Sequence, residues 1–424
     1  MAKYLKRFNT HAEYNAYANS NNMIKSNVSF CLDNREVHFN PFSWSDEYMQ
    51  TVALEDGTIS FNILKNMETD KIASISYSTD NGNTWTTTNN QNGKSANLQI
   101  TVNVENGDKI LWKGNAQQLG YLDEEDFGDY IGSFFSSTCD FNAMGNVMSL
   151  LYGDNFKNQT TISNTACFCK LFSDYSEELE CNIVNAMNLS LPATTISNAC
   201  YYHMFGACTS LVTAPELPAT TLDENCYMEM FFGCTSLTVA PSILPATTLA
   251  VTCYNSMFDG CTSLTTAPTL PATALAGACY GFMFQSCSSL TNVPELPATT
   301  LTDSCYQGMF AYCTSLTSAP ELPATTLTDS CYNAMFIGCT SLIYAPELFA
   351  TTLVEDCYRA MFSNCTSLNY IKAMFTTTPS NTYTYNWVSG VASSGTFVKN
   401  SAAQWNVTGN NGIPTNWTVE TASA

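Results

Sequence analysis

Apolar residues recur at fixed distances through the middle of the chain. In the stretch CYQGMFAYCTSLTSAPELPATTL, Cys305, Met309, Cys313 and Leu316 fall at i, i+4, i+8 and i+11. That spacing lines them up on one stripe of a helix. Thr302, Asp303 and Ser304 offer N-cap side chains just ahead of it. Gly233, Gly260 and Gly338, each placed before the second cysteine of its own copy, suit a helix end. The following segment, Leu316 to Pro323, predicts a short extended piece with Pro320 and Pro323 at its corners. One circuit is expected to be a brief helix, a corner, a short parallel strand and a second corner.

The same words begin again at Cys200, Cys226, Cys253, Cys279, Cys305, Cys331 and Cys357. The spacing is 26 residues except from Cys226 to Cys253, where it is 27 and the extra residue lies within Ser242–Pro245. A fixed period of this length predicts a solenoid, because each unit is too small to bury its apolar face alone. The nearly constant positions are the expected core. They include two cysteine columns, Cys200, Cys226, Cys253, Cys279, Cys305, Cys331 and Cys357 in one, and Cys208, Cys234, Cys261, Cys287, Cys313, Cys339 and Cys365 in the other. Eight residues of helix separate two Cα atoms by about 12 Å, beyond the roughly 7 Å reach of a disulfide. The thiols are therefore expected to act as small buried apolar groups, with cross-repeat disulfides or a thiol-bound metal as the alternatives. The variable positions carry Tyr202, His203, Phe232, Phe282, Tyr312, Ile337, Tyr344, Arg359 and Tyr370. Large groups at exposed repeat positions form a candidate binding strip; drift at solvent positions is the competing explanation.

The flanks follow other patterns. Residues 1–42 predict an attachment segment, with a capping box at Thr10–Glu13 opening a short helix and a hairpin around Asp33-Asn34. Residues 43–118 alternate as strands, at Thr51–Leu54, Thr58–Leu64, Ile72–Ser78, Thr84–Thr88, Ala96–Val104 and Lys109–Lys113, with Asx-Gly turns between several of them. This predicts a small immunoglobulin-like β-sandwich. Residues 119–199 carry degenerate copies of the repeat words, 200–375 the regular units, and 376–424 a β cap over the last rungs.

Charge narrows the partners. Net charge is −21, and from Leu171 to Tyr358 there are 16 acidic residues and no Lys or Arg. Such a face does not suit nucleic acid or an anionic membrane surface. Acidic residues recur at Glu216, Glu295, Glu321 and Glu347, and at Asp223, Asp303, Asp329, Glu355 and Asp356. A solvated stripe and a cation ladder are both consistent with them. No apolar run of membrane-spanning length is present, so no membrane insertion is expected. Nor does an apolar stretch follow the early Lys3, Lys6 and Arg7, so the start does not read as a secretory leader. The three histidines, His11, His38 and His203, form no pattern with a nucleophile, and no phosphate-binding glycine motif occurs. The expectation is no enzyme, no cofactor and no metal.

Phe336, Gly338, Cys339, Ser341, Leu342 and Pro346 match the core words of the BspA-like leucine-rich repeats, and the unit resembles that family. It departs in its longer period, in Ala345 where Ile is usual and in the added PATT. The resemblance implies an α+β leucine-rich-repeat solenoid and a surface or adhesion role. The layout as a whole resembles proteins of gut Bacteroidetes and of their crAss-like phages. It implies a virion fibre or tail-associated protein assembled in the bacterial cytoplasm, or else a bacterial surface adhesin. The partners so implied are a protein or surface glycan of a bacterial host, or neighbouring virion proteins, with homo-oligomerisation through the N-terminal part. Ser78–Trp85 resembles the Asp-box hairpin of sialidases, which implies a turn tied by Asp80 over Trp85; a glycan-active enzyme would rest on this box alone.

Overall fold

The computed structural model describes residues 29–30, 37–38, 44–66, 71–72, 74–88, 98–116, 118–123, 129–173 and 180–422. The helix placed at residues 10–17 lies outside them. Alternating apolar residues build the strands of the N-terminal part: β1 (Met49–Ala53), β2 (Gly57–Ile63), β3 (Ile75–Ser78), β4 (Thr86–Thr88), β5 (Leu98–Val104) and β6 (Lys109–Gly114). Along β5 the inward residues Ile100, Val102 and Val104 are buried and the residues between them are exposed. Three later strands, β7 (Phe134–Ser137), β8 (Phe141–Asn146) and β9 (Ile183–Ser190), complete the sheets. One sheet runs β9-β8-β1-β6-β3-β4 and the other β7-β2-β5. They meet through Trp112, whose ring centroid lies 6.1 Å from Phe61 and 5.3 Å from Phe135. The indole N–H is satisfied by Thr51 Oγ1 at 3.0 Å.

Two features correct the expected fold class, an α+β leucine-rich-repeat solenoid behind an immunoglobulin-like sandwich. The strands expected at 43–118 form no self-contained sandwich, since both sheets recruit strands from beyond residue 130. Nor do the repeated units contain the expected helix, and among them only the one from Cys357 holds a strand, Tyr370–Ala373. The protein is mostly strand and turn; the single α-helix among the described residues is Ser149–Tyr152, and the strands form small separate sheets.

The backbone explains the missing helices. In the Cys305 unit every fourth residue, Ser304, Gly308 and Tyr312, has a left-handed φ, of 56°, 59° and 60°. Each such residue ends a helical turn before the next can form. The N–H groups then alternate in direction. Those of Cys305, Gln307, Met309, Ala311 and Cys313 donate to the carbonyl three residues back, while those of Ser304, Tyr306, Gly308, Phe310 and Tyr312 donate to the following unit. Half of the bonds that a helix would keep inside itself thus join one unit to the next. The extended parts are equally reduced. They meet at isolated parallel bridges such as Ser318↔Tyr344 and Tyr344↔Tyr370. At the C-terminal end these bridges widen into a parallel sheet of β10 (Tyr370–Ala373), β11 (Thr396–Lys399) and β12 (Thr418–Thr421). This sheet prolongs the bridge column, and the four residues of its last strand are exposed.

Candidate functional surface

Two aromatic residues per unit stack through the inside of the repeated region. Tyr201, Tyr227, Tyr254, Tyr280, Tyr306, Tyr332 and Tyr358 form one column with centroid spacings of 5.4 to 6.1 Å. Phe205, Phe231, Phe258, Phe284, Phe310, Phe336 and Phe362 form a second, at 5.4 to 5.8 Å. Phe168 and Phe172 of the degenerate segment head these columns, stacking on Tyr201 and Phe205. Both cysteine columns are buried and their thiols are free. In the second column each thiol donates to a phenylalanine carbonyl of the preceding unit, as Cys313 does to Phe284 at 3.1 Å and Cys339 to Phe310 at 3.0 Å. Burial pushes Cys253 and Cys365 up to about 12, and Cys305 and Cys357 up to about 11. Thiols held this way are poor nucleophiles.

The candidate binding residues do not form one strip. Tyr202, His203 and Phe232 come together near the N-terminal end of the units. His203 is buried, its Nδ1 3.2 Å from Glu229 Oε2 and its ring 5.9 Å from both Tyr202 and Phe232. Tyr202 is half-buried against Tyr130, at 5.2 Å. Phe282 and Tyr312 instead press against a glycine of the following unit. A Cβ added at Gly308 would stand 2.4 Å from Phe282 Cδ1, and one at Gly338 would stand 2.5 Å from Tyr312 Cδ1. Ile337 is half-buried. Arg359 is exposed, with its guanidinium 5.0 Å from the Tyr385 ring and 3.5 Å from Asp356. Tyr344 and Tyr370 belong to the bridge column, their rings 6.2 Å apart. Tyr344 is 61% exposed, and beside it in the same unit Ile343 is 37% and Phe349 41% exposed. Phe349 was not among the sequence candidates, although ELFATT departs visibly from the ELPATT of its neighbours.

Acidic side chains on this surface are partly neutralised. Glu347 Oε1 receives Lys372 Nζ at 2.6 Å, and Glu216 accepts from the N–H and hydroxyl of Ser242. No group of three or more His, Cys, Asp or Glu among the described residues is placed to hold a metal ion. No helix of the described residues is long and apolar enough to cross a membrane.

In the N-terminal part the Ser78–Trp85 loop is tied by Asp80. Its carboxylate accepts from the Thr84 N–H at 2.9 Å, the Thr84 hydroxyl at 2.6 Å and the Ser78 hydroxyl at 2.7 Å. The Thr84 hydroxyl and N–H, followed by the Ser78 hydroxyl, pull Asp80 down to about 2. Trp85 carries Lys113 Nζ 4.1 Å from its ring centroid, and that ammonium also meets Asp154 at 2.8 Å. Tyr48 donates to the same Asp154 oxygen at 2.6 Å and is pushed up to about 12, first by burial and then by that carboxylate. Each polar group of this cluster is satisfied by another, which is how a surface clasp behaves. A cavity of about 240 Å3 bordered by Trp44, Met187, Leu191 and Glu216 lies where β9 meets the first regular unit. None of the residues expected to bind lines it.

No family model, no curated protein and no solved structure matches this chain.

Proposed function

We propose that this chain is a non-enzymatic recognition or structural protein whose repeated units contact another surface. We place it as a fibre or tail-associated component of a phage virion, touching a bacterial host or neighbouring virion proteins. The observation that supports this reading is that large exposed apolar side chains gather in two units, Phe232, Val239, Ile243 and Val251 in the Cys226 unit and three, including the most exposed, in the Cys331 unit. Where the preceding unit has Thr317, Ser318 and Pro323, this one has Ile343, Tyr344 and Phe349, exposed by 37%, 61% and 41%. The exposed large apolar side chains are unevenly spread, with none in the Cys253 and Cys279 units. Three in one unit concentrate apolar area in the way binding surfaces do. Aromatic anchors suit either the apolar face of a sugar or an apolar protein patch.

The triple variant Ile343→Thr, Tyr344→Ser, Phe349→Pro restores residues that an adjacent unit already accommodates, so its fold should survive. Fluorescently labelled full-length protein would be titrated onto a panel of bacterial cells and their purified capsular glycans. Binding by the parent and a loss of about tenfold or more in the variant, roughly 1.4 kcal/mol, is the expected result. Equal binding by both would remove the Cys331 unit from the interface. Absence of binding to every strain and glycan, together with absence of the protein from purified virions, would end the proposal.

A further inference from the structure

The hydroxyls of Tyr201, Tyr227 and Tyr254 are buried, and none has a hydrogen-bond partner among the described residues. The three tyrosines are 0%, 1% and 1% exposed. Native cores rarely leave such a group unpaired, and three in consecutive units form a pattern. Their rings are stacked nearly parallel, with centroids 5.4 and 5.7 Å apart and interplanar angles of 11° and 8°. Equivalent tyrosines in equivalent settings repeat their hydroxyl oxygens at about the same interval. That gap is twice the length of an O–H···O bond, so the hydroxyls cannot reach one another directly. An oxygen midway between two of them would lie about 2.7–2.9 Å from each, the preferred distance for such a bond.

We propose that this column is a built-in water site. One water bridges Tyr201 and Tyr227, and a second bridges Tyr227 and Tyr254. Each water accepts a hydrogen bond from one phenol and donates one to the oxygen of the next, so one direction of donation runs along the file. Every hydroxyl then has at least one partner. The thiols of Cys226, Cys200 and Cys253, which act electrostatically on the Tyr227 hydroxyl, offer weak acceptors for the remaining water protons. One internal water per unit is an ordinary density for a folded chain. The file would also tie three units together through the tyrosine hydroxyls, adding to the ring stacking and to the backbone bonds from the Tyr201 and Tyr227 N–H groups to the Cys226 and Cys253 carbonyls.

Two measurements on the full chain test this site. High-resolution diffraction should show a peak between each pair of consecutive hydroxyls, and oxygen-17 magnetic relaxation dispersion should count these waters as long-lived. Tyr227→Phe touches both bridges, so it should lose two waters from the count and unfold at a lower temperature than the parent. Tyr254→Phe should lose one, and serves if Tyr227→Phe fails to fold. Tyr306→Phe, in the same ring column but outside the set of fully buried, unpaired hydroxyls, should leave the count unchanged. Empty midpoints, an unchanged count in both Tyr227→Phe and Tyr254→Phe, or a Tyr227→Phe protein as stable as the parent or more so would each overturn the proposal. The last outcome is what removal of a bare, unpaired hydroxyl would produce.

Discussion

Among the described residues Asp259 is the carboxylate displaced upward from its ordinary value. It sits in the turns of the Cys253 unit, 9% exposed, and accepts the Gln285 side-chain N–H at 2.8 Å. Burial pushes it up to about 6, the Glu229 charge adds to that, and the Gln285 bond opposes it. The folded state therefore holds this proton more tightly than the unfolded chain does. Its stabilising contribution is full below about pH 4 and is lost as pH rises through about 6. At pH 7.5 the folded protein carries an ionised, poorly solvated carboxylate. Asp259→Asn removes that charge and keeps an oxygen for Gln285. A gain of about 1–2 kcal/mol at pH 7.5 is expected, allowing for solvent screening, with none at pH 4. Urea unfolding at both pH values measures it. A variant less stable than the parent at pH 7.5 would show that the carboxylate's own bonds outweigh its burial.

Between units, the decisive elements are the left-handed turn residues and the side chains that cover them. Gly308 has φ 59°, and a Cβ there would stand 2.4 Å from Phe282. Gly308→Ala should cost about 1–3 kcal/mol, from backbone strain and from displacement of the ring. Phe282→Ala clears the ring, so the double variant should recover about 1 kcal/mol of that cost. Strict additivity in denaturant unfolding would show that the ring and the glycine are independent. This pairing also marks how much the sequence made legible. Phe282 and Gly308 are 26 residues apart, as are Tyr312 and Gly338, so a glycine one period after a large residue could have been read as its seat. The buried columns of Cys, Met, Phe and Tyr follow directly from the repeat. The helix does not, because a spacing of i, i+4, i+8 also describes a run of four-residue turns. The difference lies in the sign of φ at residues such as Ser304 and Tyr312, which their side chains do not announce. In the N-terminal part, alternation located strands close to β1, β2 and β3. It carried no signal that β8 and β9, far along the chain, would join β1 in one sheet. Of the candidate surface, Phe232, Tyr312, Tyr344 and Arg359 are exposed as a binding role requires, whereas His203 is turned inward to Glu229.

Over the whole molecule the excess of negative charge sets the response to ionic conditions. The chain has net charge −21, and the window from Leu171 to Tyr358 holds 16 acidic residues with no Lys or Arg. Cations at its borders serve only their immediate neighbours, as Lys372 does Glu347 and Arg359 does Asp356. Columns such as Glu295, Glu321 and Glu347 repeat at the unit spacing, bringing like charges within one Debye length of each other at about 0.1 M salt. Folding gathers these charges, so repulsion is greater in the folded state than in the expanded chain. Surface ion pairs such as Lys372–Glu347 and Arg359–Asp356 contribute little and weaken with salt. Screening should therefore stabilise this protein, with Tm rising by several degrees as NaCl goes from about 0.01 to 0.5 M and levelling off as the Debye length falls below the spacing of the units. Differential scanning calorimetry across that series, with sodium chloride and potassium chloride compared, separates screening from specific ion binding. A Tm that falls with salt would mean that ion pairs, rather than repulsion along the acidic columns, dominate the electrostatics of the fold.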